Sequence, residues 1–265
     1  MELSVDEQRE TLNTVLLDSD VSSALWTFVD SGLAGEIVPE LPALRLEQDP
    51  IHRHKEVLSH TIAVIAKTAP DLVLRLAALF HDIGKPATRS FEHGGVTFRH
   101  HEAVGAKITK KRLRSLGYSK DIVRDVAELV RLSGRFKGYA GGWGDSAVRR
   151  YARDAGHLLG KLNDLVRSDC TSRHERVHIE IQHHVDDLER RIGDLAEEDR
   201  KAAERPLLGG QEIMERFEIG PGPMIGKALN FLIELKRSCP ELDRIATEEK
   251  LDNWWADNKP AADGL

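Results

Sequence analysis

A histidine and an aspartate stand next to each other at His81-Asp82, directly before Ile83-Gly84-Lys85. The preceding residues 72–80 read LVLRLAALF, so the pair is expected on the same helix, in or beside a protein core. An ionised carboxylate is costly to bury unless another group pairs with it. A divalent metal ion satisfies an imidazole and a carboxylate together, so the pair predicts a metal site.

Two further residues are candidates for the same site. His60 lies upstream and Asp169 downstream, so the expected ligands are His60, His81, Asp82 and Asp169. The candidate ions are Mn, Ni, Co, Fe, Mg and Zn, and the residue types do not choose among them. Such an ion lowers the pKa of bound water and polarises a phosphoryl oxygen, which is the chemistry of a phosphohydrolase. Asp82 is further expected to orient the water, and Lys85 to neutralise phosphate charge.

A second polar cluster follows at His100, His101 and Glu102. These side chains are candidates for a second metal site. Alternatively, His100 contacts phosphate, or His101 is the catalytic acid that donates a proton to a leaving oxygen. The alternative is that they are only the solvated start of a helix. Three other motifs receive no catalytic role. His52 and His54 are expected to be surface or RNA-facing residues, with a position near the metal as the alternative, and His183-His184 are expected at the surface. The glycine-rich stretch 138–144 lacks the spacing of a phosphate-binding loop.

Charge is unevenly distributed along the 265 residues. Residues 1–50 contain eleven acidic and two basic residues, whereas residues 85–153 contain sixteen basic and six acidic ones. A basic region beside a metal site suits a phosphate-bearing ligand such as a nucleotide or RNA, although solvated helix surfaces are also charged. The expected phosphate or RNA contacts, besides His100, are Lys107, Lys110, Lys111, Arg114, Arg149 and Arg150.

Composition excludes several classes of protein. No run is long and apolar enough for a membrane span, and the acidic N-terminus has no secretion signal, so no membrane partner is expected. The two cysteines, Cys170 and Cys239, do not form a disulfide framework, and a reducing cytoplasm is the expected compartment.

Apolar periodicity and capping residues predict an all-α fold. Ser4 begins a capping box, Ser119 is an expected N-cap, and Gly84 is an expected helix terminator. Residues 86–99 are expected to form a loop or short hairpin. We expect a neck-like helical region at 1–49, a helical bundle at 50–205, a small helical tail at 206–257 and a frayed end at 258–265.

The pattern His60…His81-Asp82…Asp169 closely resembles the HD superfamily of metal-dependent phosphohydrolases. It is similar in particular to the neck, body and tail of bacterial, actinobacterial-type CCA-adding tRNA nucleotidyltransferases. The similar stretches are the ranges 41–50, 52–55, 60–61, 74–89, 100–102, 105–107, 145–151, 168–171, 212–214 and 221–223, together with Gly210. The resemblance therefore extends over nearly the whole chain, and it implies an HD-domain helical bundle that acts on 2′,3′-cyclic phosphates or phosphomonoesters.

The sequence departs from that pattern in two places. The nucleotidyltransferase head, with its Gly-Ser loop and Asp-x-Asp pair, is not in this chain, so CCA addition by this polypeptide alone is not expected. Ser133 stands where the family usually has a histidine, which implies a weaker site that is reduced to one metal ion.

These observations support two hypotheses. In the first, the chain is a metal-dependent HD phosphohydrolase of a nucleotide or RNA phosphate ester. In the second, it is the non-catalytic, tRNA-binding part of a split or truncated CCA tRNA nucleotidyltransferase, with a separate head chain as partner.

Overall fold

The computed structural model describes residues 3–46, 56–92, 95–171 and 174–258, so His52 and His54 lie outside the described residues. The predicted all-α class is confirmed. The first helices are α1 (Val5–Leu17), α2 (Val21–Asp30) and α3 (Leu33–Ile37), followed by a 3-10 turn at Pro42–Leu44. Next come α4 (Val57–Lys67), α5 (Leu72–Phe80), the short α6 (Lys85–Thr88), and the hairpin of β1 (Arg89–Glu92) with β2 (Gly95–Phe98).

Longer helices form the rest of the chain. They are α7 (His101–Ser115), α8 (Lys120–Leu132), α9 (Asp145–Ala155), α10 (Leu159–Asp169) and α11 (Glu175–Glu204), with 3-10 segments at Arg135–Gly141 and Gly156–Leu158. The last helices are α12 (Gly210–Phe217), α13 (Pro223–Ser238) and α14 (Arg244–Asn258). The hairpin is antiparallel, with Arg89 opposite Phe98 and Glu92 opposite Gly95. Of the two alternatives expected within residues 86–99, a loop or a short hairpin, the structure has the hairpin.

Capping residues set the helix starts as expected. Ser4 and Glu7 form a capping box at the start of α1, and the Ser119 side chain accepts a hydrogen bond from the backbone of Ile122 at the start of α8. Asp71 caps α5 in the same way through Leu74. Each cap satisfies a backbone N–H that the helix itself leaves without a partner.

Helix α5 is the centre of the bundle. Its residues Leu74 to Phe80 are all buried, and α1, α4, α7, α8 and α10 pack around it. Arg75 is buried in this helix and donates hydrogen bonds to the backbone carbonyls of Leu16 and Asp18, so it satisfies the C-terminal end of α1. The continuous apolar sequence of α5 is therefore explained by the burial of this helix on every side.

The expectation that α5 continues through His81 and Asp82 is wrong. The α-helix ends at Phe80, with His81 as its C-cap, and the backbone tightens so that Ile83 N–H bonds to the carbonyl of Phe80, three residues back. Lys85 N–H bonds to the carbonyl of Asp82 with the same spacing. His81 and Asp82 therefore belong to a tight turn that follows the buried helix.

Gly84 is not the helix terminator that the sequence predicts. Its φ of −81° lies in the right-handed region, so no left-handed conformation requires glycine there. A Cβ atom on Gly84 would lie 2.1 Å from the carbonyl oxygen of His101 and 2.7 Å from the amide nitrogen of Gly105. Glycine is needed because the turn and α7 touch backbone to backbone.

The described chain divides into two compact units, residues 1–192 and 193–265, and α11 contributes to both. The second unit has its own core of Leu208, Ile213, Leu232, Leu251 and Trp255, with Phe217 stacked on Trp255 at 4.1 Å. The division into neck, HD and tail segments stays a prediction. Within the described part of the chain, none of the helices has both the length and the apolar character required to cross a membrane.

Gly84→Ala is expected to lower the free energy of unfolding by about 1–3 kcal/mol, because the added methyl group pushes the backbone of α7 away from the turn. Urea unfolding followed by circular dichroism measures the change.

Gly160→Ala is the matched control. No atom lies within 4 Å of a Cβ at Gly160, which is in α10, so alanine is expected to be neutral or to stabilise by up to about 1 kcal/mol. Equal stability of the Gly84→Ala protein and the wild type would contradict the close approach at Gly84.

Candidate metal centre

Three elements bring the four predicted ligands together. His60 lies on α4, His81 and Asp82 on the turn after α5, and Asp169 at the end of α10. One ligand atom from each of His60, His81 and Asp82 lies within 4.8 Å of the others. Asp169 Oδ1 lies 3.0 Å from His60 Nε2 and 3.5 Å from His81 Nε2. The two imidazoles are thus flanked by two carboxylates.

Hydrogen bonds on the far side of each ring set which nitrogen faces the cluster. His81 Nδ1 lies 2.7 Å from the carbonyl oxygen of Ala78, so Nδ1 carries a proton and the neutral ring has its lone pair on Nε2. His60 Nδ1 lies 2.8 Å from Thr171 Oγ1. The Nε2 atoms of His60 and His81 are 3.4 Å apart. Such outer hydrogen bonds are the usual way in which a protein orients histidine ligands.

Asp82 is the most deeply buried carboxylate of the cluster, with 2% of its surface exposed. Its Oδ2 accepts a hydrogen bond from Lys85 Nζ at 2.6 Å and lies 3.3 Å from His81 Nε2. Burial raises the pKa of Asp82, but the charge of His81 and the hydrogen bonds from its neighbours outweigh burial and hold the pKa well below its usual value. Asp82 is therefore ionised inside the core.

His81 and Asp169 are coupled in the same way. Burial alone would lower the pKa of His81, but the charge of Asp82 and the hydrogen bond to Asp169 raise it to about 10. Burial would raise the pKa of Asp169, and its bonds to His60 and His81 lower it instead. The two carboxylates thus demand positive charge at the Nε2 atoms, where a divalent cation would replace protons. The donor set of two imidazole nitrogens and two carboxylates fits such an ion.

His101 lies beside the cluster and His100 does not. His101 is buried, its Nδ1 lies 2.8 Å from the carbonyl oxygen of Phe98, and its Nε2 lies 3.5 Å from Asp82 Oδ1. His100 is exposed and takes a left-handed φ of 61° as the N-cap of α7. The alternative in which His101 belongs only to a solvated helix start is therefore wrong. Glu102 Oε2 lies 3.5 Å from His101 Nδ1.

Lys85 is held inside the protein. Its side chain is buried, it pairs with Asp82, and its Nζ lies 5.6 Å from the centre of the Phe98 ring. The lysine therefore compensates part of the charge of Asp82. The role expected for Lys85 in neutralising phosphate stays a prediction.

Two cavities adjoin these residues. An open, polar one of about 360 Å³ is lined by Lys85, Arg99, His100, His101 and Lys137, among others. The second, of about 250 Å³, is mostly apolar and includes Asp169, Ser133 and His184 in its lining. Lys137 lines both. Asp169 of the cluster therefore lines the apolar cavity, while Lys85 and His101, which contact Asp82, line the basic one.

Ser133 contributes no nitrogen ligand. It is the C-cap of α8, and its hydroxyl donates a hydrogen bond of 2.9 Å to the carbonyl of Val130. The predicted weakening of the site by this serine stays a prediction.

The predicted phosphate-binding residues on α7 are all exposed: Lys107, Lys110, Lys111 and Arg114. On α9, Arg150 is exposed and Arg149 is half-buried. None of these placements by itself assigns a ligand.

Sequence reasoning missed two residues. Thr171 orients His60, and the only local signal is its position two residues after Asp169. His184, expected at the surface, instead lines the apolar cavity beside Asp169 because Val177, Ile181 and His184 share one face of α11 at helical spacing. His183 is exposed as expected.

Comparison with known proteins agrees with this geometry. The HD domain family matches residues 56–197, which include all four predicted ligands. The CC-adding tRNA nucleotidyltransferase of Thermus thermophilus is 33% identical over 258 residues, covering 91% of this chain and 54% of that protein. The A-adding tRNA nucleotidyltransferase of Deinococcus radiodurans is 29% identical over 264 residues, covering 96% and 59%.

The chain thus spans between half and three-fifths of the length of these relatives. The family match covers more than half of the chain and includes the His60, His81, Asp82 and Asp169 cluster. The chain belongs to the HD domain family.

Proposed function

We propose that this protein is a metal-dependent phosphohydrolase of nucleotide or RNA phosphate esters, either 2′,3′-cyclic phosphodiesters or phosphomonoesters. The observation that carries the proposal is the convergence of His60, His81, Asp82 and Asp169 at 3.0–3.6 Å contacts. The relatives' names, which refer to tRNA, support a nucleotide or RNA substrate.

His60, His81, Asp82 and Asp169 would hold one divalent cation. When bound, such an ion supplies a nucleophilic water at neutral pH and positive charge for a phosphoryl oxygen. Asp82 and Asp169 would hold the cation by charge, while the Ala78 carbonyl and Thr171 keep the imidazole Nε2 atoms of His81 and His60 facing the cluster. Lys85 keeps the buried Asp82 ionised.

His101 is proposed to move the proton. In hydrolysis, the water oxygen forms a bond to phosphorus while one phosphorus–oxygen bond of the ester breaks. His101 Nε2, whose lone pair faces the cluster because Nδ1–H is bonded to the carbonyl of Phe98, takes the proton that the water loses and gives it to the leaving oxygen.

Metal binding is tested with Asp169→Asn, which keeps the shape of a side chain that is 36% exposed and removes its charge. The wild type is expected to bind about one divalent ion per chain, and the variant at least about tenfold more weakly. Metal analysis after dialysis and calorimetric titration with Mn, Ni, Co and Zn measure both quantities.

Asp164→Asn, an exposed change on the same helix, should bind metal like the wild type. A wild-type protein that takes up no metal, or an Asp169→Asn protein with unchanged affinity, would refute the site.

Activity is tested with bis-p-nitrophenyl phosphate and 2′,3′-cyclic AMP across Mn, Ni, Co, Fe, Mg and Zn. Turnover is expected to require metal and to disappear in Asp169→Asn. His101→Gln is expected to retain the metal and to lose about 10²–10⁴ in kcat, because it removes the proton donor.

Asp82→Ala is the poorer test, because it leaves Lys85 buried without its counter-charge, at a cost of about 3–5 kcal/mol. The absence of turnover with any of these ions, from folded and metal-loaded protein, would defeat the hydrolase proposal.

A second candidate function, tRNA binding without catalysis, is favoured by the exposed basic residues of α7 and by the names of the relatives. A separate chain that carries the nucleotidyltransferase head would then be the partner, as the sequence resemblance implies.

Charge reversal of Lys107, Lys110, Lys111 and Arg114 is expected to weaken tRNA binding. Each lost phosphate contact should make the slope of log affinity against log salt shallower by about 0.9, or about 0.7 where the strand is single. Filter binding at several salt concentrations measures this. Reversal of Lys120, Arg124, Arg131 and Arg153 changes the net charge equally at other exposed positions. Equal effects of the two variants would mean that total charge, not this face, governs binding.

A further inference from the structure

The apolar cavity beside Asp169 has no role in holding a metal. It occupies about 250 Å³ between the 3-10 segment Arg135–Gly141, the end of α10 and the first turns of α11. Asp169 belongs to both the cavity wall and the histidine–carboxylate cluster. A molecule with a phosphate at the cluster therefore has the cavity directly next to it.

The walls of the cavity suit a flat, uncharged group. Phe136, Ala140, Val166, Val177 and Ile181 supply apolar surface. The Phe136 ring is stacked on Tyr139 with centroids 5.5 Å apart, and the Tyr139 hydroxyl donates a hydrogen bond of 2.5 Å to Asp187. The aromatic wall is thus held in place from behind.

Polar groups at the cavity are few and specific. Among the described residues, Nδ1 of His184 is buried and has no hydrogen-bond partner. A buried nitrogen without a partner is unfavourable. The edge of a nucleobase carries donors and acceptors that can satisfy such a nitrogen once the His184 ring turns toward the cavity. Ser133 lies in the same wall, and its hydroxyl donates a hydrogen bond to the carbonyl of Val130.

The charged residues that line the two cavities favour different positions for the phosphate and the base of a nucleotide. Lys85, Arg99 and His100 line the basic cavity. Among the described residues, Lys137 is the only lysine or arginine that lines the apolar cavity, and the Nζ of Lys137 lies 3.7 Å from Glu102 Oε1. Phosphate is favoured on the basic side and an uncharged ring on the apolar side. A volume of about 250 Å³ is below the range of about 300–1,000 Å³ typical for drug-sized ligands, so it suits a single base.

We propose that this cavity is a nucleobase subsite, which binds the base of the nucleotide whose phosphate is hydrolysed at the cluster. This inference rests on the proposed function and narrows it, since it makes esters that carry a base the preferred substrates. Phe136 provides a face for the base, and His184 and Ser133 contact its edge.

The test fills the cavity from a position that tolerates a large side chain. Val177 lines the cavity but is 41% exposed, so Val177→Trp adds bulk with little strain on the core. Ile179→Trp is the matched control, because Ile179 is 47% exposed two residues further along α11 and does not line the cavity.

Two esters are compared on the manganese-loaded protein: 2′,3′-cyclic AMP and methyl riboside 2′,3′-cyclic phosphate, which is the same ester without the base. The wild type and Ile179→Trp are expected to prefer the nucleotide at least about tenfold in kcat/KM, and Val177→Trp to lose that preference while it still hydrolyses the riboside ester. Equal kcat/KM values for both esters in the wild type, or an unchanged preference in Val177→Trp, would overturn the subsite.

A binding measurement tests this inference separately from the proposed hydrolase activity. Calorimetric titration of the manganese-loaded protein with 3′-AMP, and with inorganic phosphate as the probe without a base, needs no turnover. One outcome would keep the subsite and overturn the hydrolase proposal. In that outcome neither ester is hydrolysed, 3′-AMP binds at least about tenfold more tightly than phosphate, and of the two variants only Val177→Trp removes this difference in affinity. If 3′-AMP binds no better than phosphate, the subsite is refuted.

Discussion

An ionised carboxylate inside an apolar core is the constraint that organises this protein. Asp82 follows the buried helix α5, and its charge has to be compensated where water is absent. Lys85, His81 and His101 reach it from the same turn and from α7. The close backbone approach of Gly84 to α7 is what brings His101 within reach. Packing and charge compensation therefore depend on each other.

Much of the architecture follows from local sequence. The caps at Ser4 and Ser119 and the apolar stripe of α8 predict helix starts and buried faces, because both effects involve residues within a few positions of one another. The convergence of His60, His81, Asp82 and Asp169 could also be anticipated, since isolated polar residues in apolar helices need partners. Their role as metal ligands stays a prediction.

The remaining features depend on contacts between distant residues. The end of α5 at Phe80, the reason for Gly84 and the burial of Lys85 are set by α7, which no local pattern reveals. His184 lies on a highly charged helix, so its sequence neighbourhood resembles surface. Only the packing of α11 against the 3-10 segment at Arg135–Gly141 places it at a cavity.

The hydrogen bond from His81 Nδ1 to the carbonyl of Ala78 connects the end of helix α5 with the tautomer of the His81 ring. It satisfies a carbonyl at the end of α5 and sets the tautomer of His81 at the same time. The imidazole is therefore aimed by the fold alone, before any ion arrives, and little binding free energy is spent on ordering it. A preorganised cluster of this kind would bind and release a divalent ion without refolding of the protein.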